Sequence, residues 1–474
     1  MARSHRITEW DPEDTAAWRG GEHAVARRNL FWLVVNVHVT FSVWYLWSVM
    51  VLFMPRDVYG FSTGDKFLLA ATASLVGALV RIPYSFAANW FGGRNWTTVS
   101  SLVLLIPTVA TMVLLAHPGL SLGPYLVCAA LTGLGGGNYS ASLAKVDGLY
   151  PQRLKGFALG LTGGIANAGS ATIQAVGLVA LATADHQAPY VVCAIYLVLL
   201  SIGGVGAALF MDNIVAHRSG LSPANVRAIL PLPDTWVLSF LYLCCSGSFL
   251  GFAFAFGQLL QDNFMAGGQS HAQASLHAAE IAFTGPLLGS SARIVGGRLS
   301  DRFGGGPVIA VLLGGMIVAG GFVAGVGTDH DLTRGPGNPA TLLMMIGYVV
   351  GFLALFVVAG AGKAAVYKLI PSVFEIRSRM LGIGDDAERR NWARVRSAAL
   401  IGFAGAFGAL GSVGINLALR QSYAQTGTAT PALWIFVACY VVAALLAWRR
   451  YVRPRPALAP AAADRSRALR QSVS

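Results

Sequence analysis

The sequence predicts an all-α protein of twelve membrane-crossing helices, arranged as two six-helix bundles that repeat one another in parallel. Three observations predict it: a composition 55% hydrophobic and only 12% charged, apolar runs of bilayer-spanning length along almost the whole chain, and motif pairs that recur once in each half. A mean hydropathy of +0.60 over 474 residues excludes an ordinary soluble domain, which needs a polar outer shell.

A helix needs about 20 predominantly apolar residues to cross a hydrocarbon core roughly 30 Å thick. Runs of that kind lie near 31–54, 66–88, 96–116, 122–146, 156–183, 189–210, 236–260, 275–297, 307–327, 341–370, 397–419 and 431–450. They are spans one to twelve. The longest polar connection in the middle of the chain follows span six. The expected organisation is therefore an N-terminal segment (1–30), a first bundle (31–212), a linker (213–235), a second bundle (236–450) and a basic tail (451–474).

The net charge of +13 invites a nucleic-acid reading, but the 34 Lys and Arg alternate from side to side. The side that holds both termini carries 25 of them, and the opposite side only Arg56, Lys66, Arg334 and Arg420. By the positive-inside rule both termini are expected in the cytoplasm, and the basic tail is expected to lie on membrane lipid rather than nucleic acid. The five cysteines fall inside spans and read as small packing residues, with no disulfide framework. Residues 1–30 lack the apolar core and cleavage site of a cleaved signal peptide.

Internal repetition supports the two bundles. "LVRIPYSFAANWFGGR" (79–94) matches "SARIVGGRLSDRFGGG" (291–306): Arg81-Ile82 and Arg293-Ile294 each precede a Phe-Gly-Gly by ten residues. "GLTGGIANAGS" (160–170) matches "GFAGAFGALGS" (402–412), with Gly160/Gly402, Gly163/Gly405, Gly169/Gly411 and Ser170/Ser412 in step. Spans two and eight correspond, as do five and eleven. Corresponding spans are six apart, an even number, so the halves share one orientation and are related by an axis along the membrane normal.

Ten residues of helix from Phe-Gly-Gly cover about 15 Å, which puts both arginines near the bilayer midplane. A central arginine costs about 2.5–3.5 kcal/mol on insertion scales and requires a partner or a water-filled cavity. Pairing with a buried carboxylate is one reading, yet Glu280 and Asp147 lie near span ends. The other reading is an anion site, because two guanidinium forks facing one cavity suit a planar oxyanion. Lys145, Lys363 and Lys368 add positive charge. Lys145 and Lys368 are close enough to span ends to snorkel; Lys363 is deeper, and unlike arginine it is able to give up its proton. The glycines of 133–142 and 160–170 lack a phosphate-loop ending and read first as close-packing helix faces.

An enzyme is disfavoured: the nine histidines show no metal-ligand spacing, no Ser/His/Asp set shares a face, and no cofactor motif is present. A non-transporting anion sensor needs an output domain, and the longest cytoplasmic insert, "EIRSRMLGIGDDAERRNWARVRS", is too short for one.

"GGRLSDRFGG" resembles the loop signature of the major facilitator superfamily, and "SFAANWFGGR" a degenerate copy of it with Asn89 in place of the usual Asp. "WDPED", "ARRNL", "FSVWYLWS", "GALVRIPYSF", "FGGRNWT", "GGGNYSAS", "YPQRLKGFALGL" and "GSFLGF" together resemble the nitrate/nitrite porter family. The resemblance implies that Arg81 and Arg293 grip nitrate or nitrite and that Gly160, Gly163, Gly164, Gly169, Gly402, Gly405, Gly408 and Gly411 form paired signature faces. It also implies substrate contacts from Asn167, Tyr139 and Tyr242, and a basic or polar role for Lys368. Lys145, Thr162, Ser246 and Lys363 depart from the family's pattern on cavity-lining helices. The expected activity is secondary transport in the inner membrane, by a monomer, of nitrate, nitrite or another small monovalent anion. Its coupling is nitrate/nitrite exchange or proton symport, and Lys363, His38 and Glu280 are the candidate proton carriers.

Overall fold

The computed structural model describes residues 6–184, 188–214, 223–335, 338–381 and 385–453. The tail after Arg453 and residues 215–222 of the linker lie outside the described residues.

Twelve helical spans follow one another as expected. Nine helices are long and apolar enough to cross a membrane among the described residues, and span one makes a tenth as a pair, Thr15–Trp44 and Leu46–Phe53, bent by 45°. Spans four and eight complete the set. Each is built of shorter helices, Leu122–Gly133 and Gly137–Leu149 in one, His271–Ala282 and Thr284–Phe303 in the other. They are the least apolar because they carry the glycine run, Lys145 and Arg293, so the spans that fall short of a hydropathy test are ones that bear functional candidates.

Spans ten and eleven run further than their apolar runs, over Leu342–Met380 and Asp386–Thr426. Hydropathy ends where charge begins, but the helix does not: Arg379 pairs with Glu375 at 2.7 Å and Arg389 with Asp386 at 2.8 Å, the spacing that supports an exposed helical surface. Among the described residues, the one departure from an all-α chain is a pair of two-residue parallel strands, Arg6–Ile7 with Asn213–Ile214. They tie the N-terminal segment to the end of the first bundle. Trp10 and Trp18 are buried there, and Trp18 meets Tyr150 edge-on at 5.7 Å.

The repeat is visible in the backbone. Gly92 and Gly304, one in each Phe-Gly-Gly, have φ/ψ of 87°/150° and 84°/147° and cap the starts of spans three and nine. Only glycine reaches that region at low cost, so both copies keep it.

Contacts between the bundles gather at the end away from the termini. There Tyr45 stacks on Phe254 at 4.1 Å and donates to the Leu250 carbonyl, and Gln174 donates to the Ala253 carbonyl at 2.6 Å. Gln258 donates to the Thr63 carbonyl at 2.9 Å. The structure is the state sealed at its far side.

Candidate functional site

Arg81 begins the second half of span two, just after the helix breaks at Val80, and Tyr45 ends the straight part of span one beside it. These two breaks let Trp44 and Arg81 meet. The Arg81 guanidinium lies 5.3 Å from the Trp44 ring centroid and 5.1 Å from that of Tyr139 in span four, and is almost fully buried. Its Nη1 donates to the Gly405 carbonyl at 2.9 Å, across the bundle interface, and its Nε is buried without a partner.

Arg293 makes the mirrored arrangement. It lies 5.7 Å from the Tyr367 ring of span ten, and its Nη1 donates to the Tyr139 hydroxyl at 3.1 Å, also across the interface. Gly163 is beside it: a Cβ there would stand 3.5 Å from Arg293 Nη2. Each arginine thus reaches the glycine of the other half's signature helix, and Gly163 and Gly405 are the repeat-related pair. Tyr242 stacks face to face on Tyr367 at 4.5 Å, inclined by only 6°.

Lys363 completes the cluster. It is 3% exposed, donates from Nζ to Asn167 Oδ1 at 3.0 Å and lies 4.1 Å over the Phe249 ring. Asn167 in turn donates to the Gly163 carbonyl at 2.7 Å, one turn earlier in its own helix. Span seven widens into a π-helical turn over Leu243–Gly247, a local insertion often found at functional sites. It seats Cys245 beneath Gly362 and Ser246 beside Gly408.

Among the described residues no carboxylate pairs with Arg81, Arg293 or Lys363. Asp147 pairs with Lys155 at 3.1 Å, and Glu280 is exposed. Two permanent cations and a buried lysine therefore converge on neutral acceptors and aromatic faces, an arrangement with an unmet demand for negative charge.

The other expected residues fall elsewhere. Lys368 pairs with Asp301 at the surface rather than joining the cluster. His38 bonds the Ile165 carbonyl at 2.8 Å and holds span one to span five. Thr162 donates to Ala158 in its own helix at 2.8 Å, and the stem of Lys145 packs over Gly93. The signature glycines divide by role. A Cβ at Gly169 would stand 2.7 Å from the His38 carbonyl, at Gly408 2.5 Å from the Tyr242 ring and at Gly411 2.7 Å from Gly247 Cα. At Gly160 and Gly164 it would meet nothing within 4 Å. Gly402 is half-buried on span eleven. The residues missed by sequence reasoning are Trp44, Phe249 and Tyr367. Tyr367 carried a signal, since it sits in the span that corresponds to that of Tyr139.

Residues 33–384 match the sequence profile of the Major Facilitator Superfamily. The chain is 32% identical over 466 residues to the nitrate/nitrite transporter NarU of Escherichia coli, covering 94% of this chain and 96% of that one. It is 30% identical to the probable nitrate/nitrite antiporter NarK2 of Thermus thermophilus, covering 79% and 84%. Among solved structures, a D-xylose-proton symporter superposes with a TM-score of 0.63 at 14% identity, over 90% of this chain and 98% of that one.

Proposed function

Because the chain belongs to the nitrate/nitrite porters of the Major Facilitator Superfamily, we propose that it exchanges nitrate and nitrite across the inner membrane by alternating access, with Arg81 and Arg293 as the clamp. The observation that carries the proposal is the meeting of both arginines at Tyr139, one from each bundle, with no carboxylate among the described residues to neutralise them. Both forks are held by weak neutral acceptors, the Gly405 carbonyl and the Tyr139 hydroxyl. A planar oxyanion offers the remaining N–H groups of each fork a charged, two-oxygen partner. The surrounding rings of Trp44, Tyr139, Tyr242 and Tyr367 give flat walls suited to a flat anion and exclude water, which strengthens the attraction.

Exchange follows from the charges. Closing both bundles over an empty site buries permanent cations without compensation, so reorientation is fast only with an anion between them. With both termini in the cytoplasm, as the Lys/Arg asymmetry indicates, the sealed end faces outward. A monomer suffices, since both halves of the clamp lie in one chain.

Lys363 gives a second reading specific support: it is buried beside the clamp without a carboxylate, and it is able to titrate. Proton symport would use it as the carrier. Nitrate uptake into proteoliposomes separates the two. Exchange predicts uptake only into vesicles loaded with nitrite or nitrate, unchanged by a pH gradient. Uptake into empty vesicles driven by an inward proton gradient overturns exchange and establishes symport. Chlorate and formate in place of nitrite report which other small anions the site accepts.

A further inference from the structure

Spans nine and ten, apart from the clamp, form a groove on the outer face of the second bundle. Glycines bring the two helices together: a Cβ at Gly351 would stand 2.4 Å from Val323 Cγ2, and one at Gly347 3.2 Å from Val326 Cγ2. Beside Gly325 of span nine a Cβ would meet nothing within 4 Å. A groove of about 600 Å³ occupies that space, between Phe322, Gly325 and Asp329 on one wall and Ile346, Gly347 and Val350 on the other. Its size is that of a small-molecule site, roughly 300–1,000 Å³. Phe322, Ile346 and Val350 are half or more exposed on helices of spanning hydropathy, so the groove opens toward lipid. Among the described residues that line it, Asp329 alone is charged. Its neighbour Asp331 is engaged by His330 and by Thr428 Oγ1 at 3.0 Å. By contrast, no hydrogen bond or ion pair among the described residues reaches the exposed Asp329 carboxylate. Trp434 marks the depth: it is 47% exposed, and its Nε1 donates to Thr328 Oγ1 at 3.0 Å, one residue before Asp329. Tryptophan collects at the membrane–water interface, so Asp329 stands at headgroup level and the rest of the groove beneath it, among acyl chains.

We infer that the groove seats an acyl chain of a phospholipid from the far-side leaflet, and that Asp329 selects a headgroup ending in a primary ammonium. The apolar walls take the chain, and the carboxylate at the mouth takes the charge. An ammonium brings three N–H donors and a compensating charge to Asp329, which makes its hydrogen bonds charge-assisted. A trimethylated headgroup keeps the charge but has no donor, and a headgroup with net negative charge is repelled. Both walls belong to the second bundle, so the site moves with that bundle and does not depend on the cargo.

Native mass spectrometry of the full chain in detergent tests the site, with phosphatidylethanolamine or phosphatidylcholine of identical acyl chains titrated in. The first bound ethanolamine lipid is expected to hold at least fivefold more tightly than the first choline lipid, the gain that charge-assisted donors supply. Asp329→Asn should bring that ratio below twofold while leaving choline-lipid binding unchanged. Gly325→Leu, which fills open space in the groove, should weaken the first binding step for both lipids at least fivefold. Should Gly325→Leu not fold, Ile346→Trp fills the groove from its exposed wall and is expected to do the same. Equal binding of the two lipids by the unsubstituted chain means non-selective boundary lipid only and overturns the inference. So does an Asp329→Asn chain that keeps the preference, or a filled groove that leaves the first binding step unchanged.

Discussion

At the scale of the residue, Tyr139 does two jobs with two parts of one side chain. Its ring lies under Arg81 and its hydroxyl accepts from Arg293. Tyr139→Phe keeps the first contact and loses the second, so it should weaken nitrate binding about tenfold, the worth of a hydrogen bond to a charged group. Tyr139→Ala also removes the face beneath Arg81 and should weaken it further; calorimetric titration of both variants checks the order. Lys363 is tested by charge: under exchange, Lys363→Met should leave uptake independent of a pH gradient and alter only its affinity. A gradient-driven component that disappears in this variant would mark Lys363 as a proton carrier. Much of this residue scale was legible in the sequence. Arg81 and Arg293 stood out because a charge ten residues into a span has few explanations. Trp44 and Tyr367 did not, since an aromatic in an apolar helix is ordinarily packing, and only the break at Tyr45 and the stack on Tyr242 distinguish them.

At the scale of the element, the glycine faces of spans five and eleven separate into contacts and open space. Gly411 of span eleven lies directly against Gly247 of span seven, backbone on backbone. Gly411→Val has no flexible neighbour to displace and should cost about 1–3 kcal/mol of overpacking, with transport lost. Gly164→Ala should be near neutral, because the space beside it is open; thermal unfolding in detergent alongside vesicle flux checks both. The motif spacing identified these helices as a matched pair but not which glycines touch anything, since contact depends on the partner helix and the spacing does not. The same limit explains spans ten and eleven: hydropathy locates the lipid boundary, whereas helix length is set by the charged, hydrogen-bonded turns beyond it.

At the scale of the whole molecule, two bundles related by duplication meet at two levels. At the middle, each arginine crosses to the other bundle and rests on a neutral acceptor. At the far side, stacked aromatics and polar bonds close the seam. Opening the seam while an anion bridges the arginines exchanges one set of contacts for the other, which is the physical content of alternating access here. Twelve spans and the duplication followed from sequence pattern; which end was sealed did not, because both states share one sequence and differ only in which contacts are made. The claim on which the rest depends is that the two guanidinium forks bind the anion together. Calorimetric titration of nitrate into the purified protein and into Arg81→Lys and Arg293→Lys tests it most directly. The account predicts that each variant, though it keeps its charge, loses at least about 100-fold in affinity, since an ammonium lacks the planar two-donor fork. Wild-type nitrate affinity in either folded variant would contradict it.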